Sequence, residues 1–172
     1  LADCTSHNGL IQIITSFWKS GQPPPWADDW GTDEYGHWVT FSVKNKQGNK
    51  VTQRMRWIEP GTFQMGSPAD EPERYDGEGP QHPVTIGRGF WLFDTACPQA
   101  LWEAVMGENP SGFKGEDRPV ENVSWNDCQD FLKRLNERLT GLDLDLPSEA
   151  QWEYACRAGT TTPFSFGTNI TP

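Results

Sequence analysis

The sequence predicts an α+β domain of irregular build, with short strands and a few helices. Three observations carry that prediction. Apolar residues alternate with period two over 37–43 and 51–58. Helical apolar stripes follow capping signals at Ser124 and Ser148. A load of 17 Gly and 14 Pro keeps every element brief. Nine Trp and nine Phe supply ring area for a core that a hydrophobic content of 35% would leave thin.

Taken in order, LIQIITSFWKS (10–20) reads as a short amphipathic helix. GQPPPWADDWGTDEYG has three consecutive prolines, which favour polyproline or turn geometry, so 21–36 reads as a linker. Its Trp26 and Trp30 are expected to pin it to the domain surface, or else to offer ligand-binding surface. HWVTFSV and VTQRMRWI form a hairpin across the polar turn NKQGNK. Val51, Met55 and Trp57 lie on one face of the second strand, with Arg54 and Arg56 on the other. Phe63 and Met65 resume inward-facing positions, and the acidic loop PADEPERYDGEGPQH is a solvated connection. Short strands are expected at 83–86 and 89–94.

The first of three helices runs from Pro98 to Met106 and stops at Gly107. The second is capped by Ser124 with Asp127 in the reciprocal position, and its stripe is Cys128, Phe131, Leu132, Leu135 and Leu139. The third starts at Ser148 with Gln151 and is expected to bury Trp152, Ala155 and Cys156. Trp125 is expected in the core as well. Glu149 and Glu153 read as helix-start charge and a salt link rather than an acid–base pair. LDLDL (142–146) reads as a wetted strand edge or, alternatively, as half of a hard-cation site on Asp143 and Asp145.

A formal net charge of −10 argues against nucleic acid and anionic membrane surfaces as partners. No run of 18 apolar residues spans a bilayer. The first twenty residues lack the basic leader and apolar block of a signal peptide. Cys4, Cys97, Cys128 and Cys156 are scattered without zinc-site spacing, which points to a reducing, cytoplasmic compartment. Phosphate loops and nucleophile elbows are missing. The glycosylation patterns at Asn122 and Asn169 read as coincidental, because Ser124 is better used as a helix cap and a cytoplasmic setting is expected for both.

Five blocks, MRWIEPGTFQMGS, DGEGPQHPVTI, GFWLFDTACPQALWEAVMGENPSGF, RPVENVSWNDCQDFLKRLN and LPSEAQWEYACRAG, resemble the formylglycine-generating enzyme family, also called sulfatase-modifying factors. The resemblance runs over about 55–167 and implies a C-type-lectin-like fold. It divides the chain into a helix and Trp/Pro-rich extension at 1–36 and the N-terminal portion of such a domain at 37–172. Two departures stand out. Asp145 takes the place where the family has Arg, and Gln151 that of its second Glu. The family's copper-binding cysteines and most calcium ligands lie in its C-terminal half, so the resemblance implies no catalytic residue here, and Cys97, Cys128 and Cys156 belong to the scaffold.

On that resemblance the domain is expected to need roughly 100 further residues to close its core. A C-terminal fragment left by cleavage is the expected partner, with disorder or a shortened chain as alternatives. Three functions are open: a non-catalytic ligand- or protein-binding domain, such as one in a bacterial sensor or effector; a copper-dependent oxidase acting on a cysteine in a sulfatase peptide; and a structural or regulatory domain attached to a protease or kinase. Copper belongs only to the second, while calcium is compatible with the first. Loops on a rigid scaffold are the expected binding surface, with Trp26, Trp30, Tyr75, Phe113 and Phe164 as candidates.

Overall fold

The computed structural model describes residues 23–72, 74–165 and 167, so the helix expected over 10–20 and Cys4 lie outside the described residues. The elements are β1 (Asp29–Asp33), β2 (Gly36–Lys44), β3 (Lys50–Ile58), β4 (Gly61–Met65), a 3-10 turn (Asp76–Glu78), β5 (His82–Ile86), β6 (Phe90–Phe93), α1 (Gln99–Met106), α2 (Trp125–Arg138) and α3 (Glu149–Arg157). One sheet has the order β1-β2-β3-β6, and β4 and β5 form a second. This is the α+β build that the sequence predicts. The described residues divide into two compact units, those within 23–57 with 91–146 and those within 58–90 with 147–167.

The first unit is built around rings. Alternation on β2 turns Val39, Phe41 and Val43 inward, and Met55 on β3 joins them. Leu101, Trp102, Ala104 and Val105 of α1 and Phe131 and Leu135 of α2 complete the core with Trp26, Trp91 and Leu142. Trp102 stacks on Phe131, with centroids 5.0 Å apart and planes 4° from parallel. The β2–β3 turn is as expected: Asn45 Oδ1 accepts from the backbone N of Gln47 and Asn49, and Gly48 takes a φ of +83°.

The linker expectation is corrected on two points. Residues 29–33 pair antiparallel with β2, from Asp29↔Thr40 to Asp33↔Gly36. The turn closes because Asp33 Oδ1 accepts from Tyr35 N and Gly36 adopts a φ of +99°. Trp26 is only 7% exposed and belongs to the core, where the Pro24 turn, closed by Ala27 N donating to Pro24 O, delivers it.

The C-terminus of α1 is held by three cations. Lys46 Nζ donates to Gly107 O (2.5 Å), Arg134 Nη1 to Met106 O (3.5 Å), and Arg138 donates from Nη1 to Ala104 O (2.7 Å) and from Nη2 to Val105 O (2.8 Å). These are carbonyls that a helix end leaves without intrahelical donors. Residues 142–146 do not form the expected strand edge. Asn136 takes both backbone groups of Leu144, accepting from its N at 2.8 Å and donating to its O at 2.9 Å, while Asp143 sits at a φ of +46°.

The second unit is organised differently. Glu153 Oε1 on α3 accepts from Gly66 N (2.9 Å) and Arg157 Nε (2.8 Å), and Arg157 Nη2 returns a bond to Gly66 O (3.0 Å). The salt link read from the sequence for Glu153 is therefore present. A Cβ on Gly66 would meet Glu78 O at 2.3 Å, and its φ of +86° also favours glycine. Phe63 packs on Tyr154 at 5.3 Å.

Two ring expectations fail. Trp152 is 59% exposed and Cys156 is exposed, because the Glu153–Arg157 clasp and Tyr154 turn the other face of α3 inward. Trp125 is exposed because it occupies the first position of α2, where a side chain leans back past the helix end.

Candidate functional site

The five candidate residues are not gathered into one site. Trp26 lines the core, and Trp30 lies on edge strand β1 with partial exposure. Tyr75 caps the 3-10 turn and is 78% exposed, its backbone N donating to Glu78 Oε1. Phe164 is half-buried and bridges to Gly167 through backbone bonds in both directions. Phe113 is 75% exposed in the segment joining α1 to α2.

That segment is densely hydrogen-bonded, and its organiser was not legible as a site. Gln99, 1% exposed at the start of α1, uses its whole amide. Its Nε2 donates to Phe113 O (2.9 Å) and Pro119 O (3.1 Å), and its Oε1 accepts from Asn109 Nδ2 (2.9 Å) and Gly115 N (3.0 Å). Glu121 Oε1 accepts from Phe113 N at 2.9 Å. Ser111 Oγ donates to Glu121 O (3.4 Å) and accepts from Glu121 N (3.1 Å). Lys114 Nζ reaches Asn109 O at 2.6 Å. Phe113 is thus fixed through both its N–H and its carbonyl while its ring stands in solvent. The sequence signal was Gln after Pro98 followed by Asn109-Pro110-Ser111-Gly112, a polar side chain at a helix start facing a turn-rich loop.

A second polar arrangement covers the outer face of the larger sheet. Arg56 Nη1 donates to Asp33 Oδ1 (2.6 Å) and lies over the Tyr35 ring at 5.6 Å. The hydrogen bond from Arg56 holds the Asp33 carboxyl below the usual carboxylate range. Arg54 pairs with Asp94. Each of these charges already has its counterpart, so the face is a closed network rather than an open charged site.

Two of the thiols, Cys97 and Cys128, are disfavoured as thiolates. Burial, together with the neighbouring Cys128, pushes the Cys97 thiol up to about 12, and burial also raises Cys128, its neighbour Asp127 adding to the shift. A metal-binding cysteine needs the opposite, an environment that favours thiolate. Among the described residues no three His, Cys, Asp or Glu converge as a metal site. Cys97 and Cys128 sit in settings that favour the thiol over the thiolate. None of the described helices is long and apolar enough to cross a membrane.

The sulfatase-modifying factor enzyme 1-like domain matches residues 40–172, and the chain belongs to that family. Among relatives, it is 31% identical to the chaperone protein LppX of Paenibacillus barcinonensis over 104 residues, covering 41% of this chain and 36% of that one. It is 24% identical to the formylglycine-generating enzyme of Thermomonospora curvata over 185 residues, covering 77% of this chain and 58% of the enzyme. The structure of PvdO from Pseudomonas aeruginosa superposes with a TM-score of 0.61 at 24% identity, over 76% of this chain and 56% of PvdO. The fold is accordingly the C-type-lectin-like one of formylglycine-generating enzymes. The chain spans between about a third and three fifths of the length of these relatives.

Proposed function

We propose that this chain contributes a non-catalytic ligand- or protein-binding domain on the formylglycine-generating-enzyme scaffold. The observation that carries the reading is a set of large aromatic side chains left in solvent on ordered elements, Phe113, Trp125 and Trp152. A relative named as a chaperone supports a role without turnover.

Trp125 and Trp152 add a partner to this reading. Two large indoles exposed on separate helices favour coverage by further polypeptide, and the relatives carry length outside the matched span.

The alternative, a copper-dependent formylglycine generator, is favoured by the relatives that bear that name. The test is to incubate the purified protein with copper(I), oxygen and a synthetic peptide carrying a sulfatase-type cysteine, and to look for aldehyde by mass spectrometry. The binding reading expects unchanged peptide. Aldehyde that depends on copper would replace it with the oxidase.

A further inference from the structure

We infer that residues 107–121 form a preorganised recognition loop, with Phe113 as its contact residue and a basic protein segment bearing an apolar side chain as its partner. The inference rests on the binding-domain reading above and assigns it a surface.

The argument begins with ordering. Fixing a loop on binding costs conformational entropy, so a contact residue held in place beforehand binds more tightly for the same area. Phe113 meets that condition from both sides. Glu121 holds its N–H and Gln99 holds its carbonyl, and Gln99 is itself buried and fully bonded. Asn109, Ser111 and Gly115 are tied into the same set of bonds. The ring at the tip is nevertheless left three-quarters exposed, which does nothing for folding. Exposed aromatics on rigid supports are the residues that dominate protein interfaces.

Charge selects the partner. Glu108, Glu116 and Asp117 are exposed in the same segment beside the exposed Lys114 and Arg118, and with Glu121 the acids outnumber the bases four to two, Lys114 Nζ being held at Asn109 O. The chain as a whole carries −10. A basic segment is steered to such a surface, and an apolar side chain on it covers the ring.

The experiment uses the whole chain and a synthetic cationic peptide of alternating lysine and leucine, followed by amide NMR. The expected result is slow hydrogen exchange at Phe113 and Gly115, peptide-induced shifts centred on 109–118, and roughly tenfold weaker binding in Phe113→Ala, a surface change that leaves the fold intact. Glu121→Ala should speed exchange at Phe113 and weaken binding, and Glu121→Gln, which keeps an acceptor, should restore both. Fast exchange at Phe113, or equal affinity in Phe113→Ala, overturns the inference. Shifts mapping elsewhere overturn it while the binding-domain reading stands, and absence of any shift also overturns it. Aldehyde formation in the peptide-oxidation assay would remove the reading beneath it, a separate outcome.

Discussion

The two units of this chain solve the same problem with different chemistry. The first, holding β2, β3, α1 and α2, encloses thirteen buried apolar residues among those described, with Phe41, Leu101 and Leu135 showing no exposed area at all. Among the described residues the second has Ile86 as its buried apolar residue and relies on a polar clasp, Gly66–Glu153–Arg157, with the Phe63–Tyr154 ring pair. The first therefore loses stability through cavities, the second through broken geometry. That difference ranks the substitutions.

Leu135→Ala should cost most, about 3 kcal/mol, because the side chain is wholly enclosed and its neighbours cannot close the void. Denaturant unfolding followed by tryptophan fluorescence measures it, and a loss under 1 kcal/mol would mean the first unit is less tightly packed than it looks. Next is Glu153→Ala, at about 2 kcal/mol, since it releases Gly66 N and strands the Arg157 guanidinium, both ion-pair partners being only about one-fifth exposed. Faster amide exchange at Gly66 is its local signature. If exchange there is unchanged, the clasp is ornamental and the contrast between the units fails.

Ser124→Ala should cost about 1 kcal/mol through the lost cap of α2. It also carries a pH signature. The Ser124 hydroxyl and backbone N hold the Asp127 carboxyl below its ordinary value. A depressed carboxyl stabilises above its unfolded pKa and loses that contribution as pH falls through the folded value. Wild type should therefore lose more stability than Ser124→Ala across the acid range, which parallel melts at stepped pH would show. Smallest is Trp152→Gln, within about 0.5 kcal/mol, because the ring is mostly in solvent. A larger loss would show that α3 packs with its other face.

Local rules were legible and tertiary choices were not. The capping boxes at Ser124/Asp127 and Ser148/Gln151, the Asn45–Gly48 turn and the Phe131/Leu135 stripe all follow from short-range chemistry readable along the chain. Trp26 and Trp152 were misplaced in opposite directions, because hydropathy does not say which face of a short element a distant partner covers. A proline-rich approach hid a strand in 29–33, and LDLDL alternated without a ladder because one side chain, Asn136, captured Leu144. Of the candidate residues only Phe113 acquired a built setting. The Gln99 amide that builds it makes bonds to residues ten to twenty positions away, beyond any local pattern.

The clamp on the end of α1 bears on which residues can replace one another. Arg138 spans two successive carbonyls, those of Ala104 and Val105, with two nitrogens of one planar group. Lysine has the same charge but a single ammonium centre, and it cannot present that rigid fork. At position 138 the requirement is thus for a shape rather than a sign, so arginine and lysine are not interchangeable there. Lys46, which meets one carbonyl alone, is under no such restriction.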